Sequence, residues 1–244
     1  MTHAVIVAHG QPSDPGPAAA ALAALAARVA GNLPGWTITA ATLAEAGALA
    51  AATTAPTGRA FPLFMAGGWF TRSHLPAKLR EAGAADWQVL EPFGCDPALH
   101  ALAVTVIAEA LAARGWRACD TTVLLAAHGS FKSPVPAAIA HHVAARIAAA
   151  TGVCARAAFI DQPPQLAEAT GHGVQSLCLP FFAAEGGHVT QDIPAALAAA
   201  GFAGHLLAPL GLHPGVPALI ARAIRAGQPV CADRCRHDPA EAAS

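Results

Sequence analysis

Short apolar runs alternate with alanine-rich stretches of helical length along almost the whole chain. Residues 3–8, 36–42, 60–66 and 87–90 have the length and flanks of strands, the first ending at His9-Gly10 and the third closed by Gly67-Gly68. Between them, helices are expected up to residue 30, from residue 43, over 73–82 and over 97–114. From residue 120 the order begins again. Strands are expected at 121–127, 153–159, 177–184 and 204–208, with helices at 134–150, 164–170, 190–200 and 214–226. Strand and helix alternate throughout, which predicts parallel sheets and an α/β fold.

The second pass repeats the first in detail. His128 follows His9 by 119 residues, each between Ala and Gly, and Gly186-Gly187-His188 follows Gly67-Gly68-Trp69 by the same 119. Leu166-Ala-Glu-Ala169 answers Leu43-Ala-Glu-Ala46, and the loop 208–214 answers 91–97. The expectation is an internal duplication: two doubly wound parallel-sheet domains related by a pseudo-twofold axis, with a cleft between them. The chain divides at residue 118, giving 1–118, 119–230 and a tail over 231–244.

Composition narrows the function class. Apolar residues make up 55% of the 244 and charged residues 12%, enough for a large core and opposite to the bias of disordered chains. The formal net charge of −1 provides no electrostatic case for nucleic acid or an anionic membrane. No apolar run approaches the roughly 18 residues of a spanning helix, and the N-terminus lacks a signal-peptide pattern. Six cysteines in a chain this long are not a disulfide framework, so a cytoplasmic setting is expected.

Two histidines carry the chemistry. In a sheet of order 2-1-3-4, strands 1 and 3 are neighbours about 4.8 Å apart, and the winding reverses between them. His128 follows strand 1 of the second half and His188 follows strand 3, so both imidazoles can reach one ion. Imidazole suits Co, Fe, Ni and Zn rather than Mg or Ca, and two protein ligands leave positions open for handing a metal on. In the first half His9 is kept and Trp69 stands at the place of His188, so that site is expected to be degenerate. His74, a few residues on, is a candidate substitute ligand. Glu185 reads as one residue extra relative to the first half and as a possible proton acceptor.

AHGS at 127–130 with LPFFAAEGGHVTQDIP at 179–194, and the weaker VAHGQ at 7–11 with PLFMAGGW at 62–69, resemble the sirohydrochlorin chelatase family of class II chelatases. The resemblance covers residues 3–226 and is to the double-length form. It implies ATP-independent insertion of Co2+ or Fe2+ into sirohydrochlorin, for cobalamin or sirohaem. No tightly bound cofactor is implied, because the metal is a substrate. His128 and His188 become metal ligands and proton acceptors, with Glu185 assisting.

A polycarboxylate substrate needs anion sites. Ser130, Lys132 and Ser133, at the start of the helix after His128, are candidates, as are Arg72 and Lys78 in the other half. Trp69 is a candidate to stack on the ring. The expected partners are therefore a tetrapyrrole and a divalent ion, with a homodimer possible. A protoporphyrin ferrochelatase and a non-catalytic tetrapyrrole or metal carrier remain as alternatives. A serine hydrolase built on Ser130 lacks the G-x-S-x-G elbow. Cys231, Cys235 and His237 match no strong zinc or cluster spacing.

Overall fold

A computed structural model of the protein describes residues 2–231. Its elements follow the predicted order: β1 (Thr2–Ala8), α1 (Pro15–Ala30), β2 (Trp36–Thr42), α2 (Ala48–Ala52), β3 (Gly58–Pro62), α3 (Leu75–Glu81), β4 (Trp87–Val89) and α4 (Pro97–Arg114). The repeat supplies β5 (Thr122–Ala127), α5 (Val135–Thr151), β6 (Cys154–Phe159), β7 (Ser176–Pro180), α6 (Ile193–Ala199), β8 (His205–Leu206) and α7 (Val216–Ala226). Two four-stranded sheets result, ordered β2-β1-β3-β4 and β6-β5-β7-β8, with every strand pair parallel. The predicted α/β architecture with two doubly wound sheets is the one found.

Parallel strands covered on both faces must be apolar throughout, because neither face meets water. Residues 4–7 of β1 and 123–127 of β5 are accordingly all buried. On one face of the second sheet Leu124, Ala126, Ala158 and Cys178 pack against Val189, Ile193 and Leu197. That packing holds α6, and the turn leading into it, against the carboxyl ends of β5 and β7.

The compact units differ from the division at residue 118. One consists of residues 2–96 with 214–231, and the other of residues 97–213. Helix α4 packs on α5 in the second unit, and α7 packs on α1 in the first. Two features fasten α7 there. The Arg59 guanidinium donates to the carbonyl oxygens of Ile224 and Arg225, satisfying groups the helix end leaves open. Beyond α7 the chain extends the β4 edge, with the Glu91 N–H donating to Gln228 O at 2.9 Å and Val230 N–H to Val89 O at 3.1 Å.

Some expected elements are shorter. The helix expected over 164–170 is a three-residue turn, Leu166–Glu168. The strand at 204–208 shrinks to His205–Leu206, and the helix expected from residue 43 begins only at Ala48. Pro97–Arg114 is an 18-residue helix of mean hydropathy 1.3, long and apolar enough by composition to cross a membrane, contrary to the expectation that no such segment exists. Here it packs Leu99, Ala103 and Ile107 into the second unit. Cys235 and His237 lie outside the described residues.

Candidate metal-insertion site

The site of the second unit is built by two segments that leave neighbouring strands. β5 ends at Ala127 and the chain turns at His128-Gly129. Gly129 has φ +78°, and a Cβ there would approach the Gln162 side chain to 2.7 Å, so a side chain is disfavoured twice over. The loop after β6 braces this turn. The Asp161 N–H donates to His128 O at 2.9 Å, and Gln162 Oε1 accepts the Ser130 N–H at 2.6 Å.

The second segment leaves β7 and reaches a π-helical turn, His188–Asp192, before α6 begins. The Ile193 N–H donates to His188 O, the i→i+5 bond that defines the wider turn. Thr190 and Asp192 lie at the start of the helix expected over 190–200, and both side chains fix the turn. Thr190 Oγ1 donates back to Gly186 O at 3.2 Å, and Asp192 Oδ2 accepts from His188 Nδ1 at 2.6 Å.

These segments bring the two imidazoles together. His128 Nε2 and His188 Nε2 are 3.0 Å apart, with ring planes at 89° and centroids 4.5 Å apart. Each Nδ1 has only acceptors beside it. For His188 it is Asp192; for His128 they are Asp161 Oδ2 at 3.3 Å and Gly129 O at 3.2 Å. Both Nδ1 atoms therefore carry hydrogen, and a neutral imidazole has just one N–H. Two Nε2 lone pairs are left facing each other across 3.0 Å. Such a pair is repulsive until a positive centre joins it, either a proton or a metal ion. The side chains of His128 and His188 are 45% and 47% exposed, so the joining ion can enter from solvent.

Two nitrogens bound at about 2.1 Å and subtending a right angle at one ion lie about 3.0 Å apart, and a tetrahedral pair about 3.4 Å. The observed spacing fits the first arrangement. Among the described residues no group of three or more His, Cys, Asp or Glu converges on one point. The candidate ligand set is thus the two imidazoles.

The other predicted residues divide. Glu185 is exposed on the loop before His188. Ser130 Oγ accepts the Lys132 N–H at 3.1 Å, and Ser133 Oγ accepts the Val135 N–H at 3.3 Å, so both hydroxyl oxygens shape the loop. Lys132 is exposed, next to Phe131, whose ring is 78% exposed. Sequence reasoning passed over Phe131, and over Asp161 and Gln162 in the loop after β6. The signal for the last two was a polar pair breaking an apolar strand ahead of two prolines. Arg72, Lys78 and Trp69 belong to the first unit. Lys78 Nζ contacts Glu81 Oε2 at 2.6 Å, and Trp69 is 62% exposed.

The first unit keeps the scaffold and changes the chemistry. A π-helical turn, Phe70–His74, again precedes α3. Thr71 and Arg72 donate to Gly68 O as Val189 and Thr190 donate to Gly186 O. These turns lie 118 residues apart, as do β3 and β7, so Phe70, not Trp69, occupies the place of His188. Trp69 answers Gly187, and His74 answers Asp192. Glu185 answers Gly67, so it is not an insertion. The Ala44 N–H bonds His9 O as Asp161 bonds His128 O, which places an alanine where the second carboxylate stands. His74 stacks on Trp69, with centroids at 4.8 Å and planes at 30°, and also packs edge-on against Phe70, as His9 does.

The CbiX family matches residues 122–226, the span that holds the histidine pair. A solved structure of CbiX, described as the terminal enzyme for biosynthesis of siroheme in denitrifying bacteria, is 47% identical, with a TM-score of 0.87. The match covers 92% of this chain and 98% of that one. The chain belongs to the sirohydrochlorin chelatase family. More distant chelatase-like structures share the fold. A multi-domain protein of Deinococcus radiodurans is 20% identical over 91% of this chain and 54% of its own, with a TM-score of 0.67. SirB of Bacillus subtilis, described with Fe3+, is 15% identical over 93% of this chain and 96% of its own, with a TM-score of 0.71. No curated protein sequence matches significantly.

Proposed function

We propose that this chelatase inserts a divalent ion, Fe2+ or Co2+, into sirohydrochlorin through His128 and His188. The observation that carries the reading is the pair of Nε2 atoms 3.0 Å apart, each in a ring whose other nitrogen is held by a carboxylate. A late first-row ion suits such imidazole ligands. The 47% identical relative is described as acting in siroheme biosynthesis, which favours iron as the physiological metal.

Insertion exchanges one M2+ for two pyrrole N–H protons. As the ion passes to the ring nitrogens, each imidazole regains one lone pair, so two ligands released match two protons to be taken up. Imidazole suits both roles near neutral pH. Two imidazolium rings in contact repel each other, and their exposure to water lets the protons leave and the pair reset. Glu185, exposed nearby in sequence, is assigned the relay of those protons. Lys132, with the exposed Phe131 beside it, is assigned to an acidic arm and an edge of the macrocycle. We place the reaction in the cytoplasm, where exposed free thiols such as Cys119 and Cys154 stay reduced.

The test is anaerobic incubation of the purified protein with sirohydrochlorin and Fe2+ or Co2+, followed by the absorbance change of the metallated ring. Insertion well above the protein-free rate is expected. A rate equal to the protein-free control with both metals overturns the assignment.

A further inference from the structure

The carboxylate of Asp192 makes a short hydrogen bond at the site, 2.6 Å to His188 Nδ1, four residues back along the same turn. Residues four apart share one face of a helical turn, and the π turn His188–Asp192 keeps the carboxylate in that relation, behind the imidazole. Such turns recur at functional sites. His128 has a looser arrangement, sharing its Nδ1 hydrogen between Asp161 Oδ2 at 3.3 Å and its neighbour's carbonyl at 3.2 Å.

The first unit acts as an internal control. It has the same π turn, yet carries Phe70 and His74 at these two positions. Where the ring is not an imidazole, the carboxylate behind it is also gone. The turn itself does not require an acid at its last position, so the acid in the second unit answers to the histidine.

We infer that Asp192 is a positioning residue that fixes His188 as the Nδ1–H tautomer and aims its Nε2 at the incoming ion. The inference rests on His188 being a metal ligand. Without Asp192 the ring is free to turn and to carry its hydrogen on Nε2, where it cannot bind metal. Carboxylates in this position are worth roughly 10–100-fold in metal affinity or activity.

The experiment compares wild type, Asp192→Asn and Asp192→Ala. Histidine nitrogen-15 shifts of the metal-free protein report the tautomer, and Co2+ titration without macrocycle reports affinity. Steady-state insertion separates kcat from KM. In Asp192→Ala we expect an Nε2–H population of His188, Co2+ affinity lowered roughly 10–100-fold, and kcat reduced with KM for sirohydrochlorin unchanged. Asp192→Asn, whose amide oxygen still accepts a hydrogen bond, should recover part of each. A wild-type tautomer and affinity in Asp192→Ala overturn the inference, and so does a variant that alters only thermal stability. Failure of the underlying reading looks different: His188→Ala would then bind Co2+ as wild type does.

Discussion

Phe70 makes with His9 the edge-to-face contact that His188 makes with His128. Ring centroids are 5.2 Å apart at 80° in the first unit and 4.5 Å apart at 89° in the second. Beneath them Phe64 supports Phe70, at 5.9 Å and 23°, much as Phe182 lies by His188 at 6.4 Å and 39°. One scaffold thus presents either two facing imidazole nitrogens or a histidine–phenylalanine edge contact. The difference is one side chain and the carboxylates behind it.

Replacing His188 or His128 by alanine should abolish insertion. A positioned acid–base group is worth roughly 100- to 10,000-fold, and each of these residues is also a proposed ligand. Both side chains are about half exposed, so the melting temperature should barely move. Absorbance-monitored insertion and thermal unfolding, run on the same preparations, check both parts. Near-wild-type rates for either variant contradict the assignment.

The first unit should be convertible. In Phe70→His the new imidazole faces His9 without an acid behind it, and in Phe70→His with His74→Asp the acid is restored. Calorimetric titration with Co2+ should show one additional bound ion in the double variant and weaker binding at that site, by roughly 10–100-fold, in the single one. An unchanged stoichiometry in both rejects the equivalence.

Gly211 should not tolerate a side chain. A Cβ there would lie 2.1 Å from Ala183 O, on the segment that runs from β7 to His188, and Gly94 stands in the same relation to Met65 O at 2.0 Å. Both contacts are with backbone, so the chain must move. Gly211→Ala should cost about 1–3 kcal/mol, read as a lower urea midpoint, and reduce insertion as well. Gly94→Ala should cost a similar amount while leaving Co2+ binding at the histidine pair intact.

His172 predicts a pH dependence. It is buried, its Nδ1 pairs with Thr122 Oγ1 at 3.1 Å, and its Nε2 has no partner. Burial, aided by Arg156, holds its pKa below the usual 6.5. The unfolded chain therefore binds the proton first as pH falls, so folding stability from this group is complete above about 6.5 and declines below it. Urea midpoints across pH 5 to 8 should show that decline in wild type and a shallower one in His172→Gln. Equal slopes would refute it.

Much of this was legible in the sequence because it is written in local patterns. Buried parallel strands must be apolar, and glycine must stand where the chain turns next to a ligand, so His128 and His188 could be placed at adjoining strand ends. The repeat register was harder. Gly-Gly pairs made Trp69 look like the counterpart of His188, whereas hydrogen bonding through the π turns places Phe70 there. A π turn leaves no periodic trace over five residues, so the role of Asp192 was hidden inside an apparent helix start. Asp161 was hidden for another reason. It comes from the loop after β6, and only the strand order brings that loop beneath His128.

The crossing of α4 and α7 between the two units sets a limit on how this protein can be taken apart. A polypeptide cut between Arg114 and Thr121 would leave each fragment carrying a helix that completes the other's fold. Either piece expressed by itself should be short of one wall, while the two together should reassemble and regain function. The duplication has thereby made each half dependent on the other through exchanged helices.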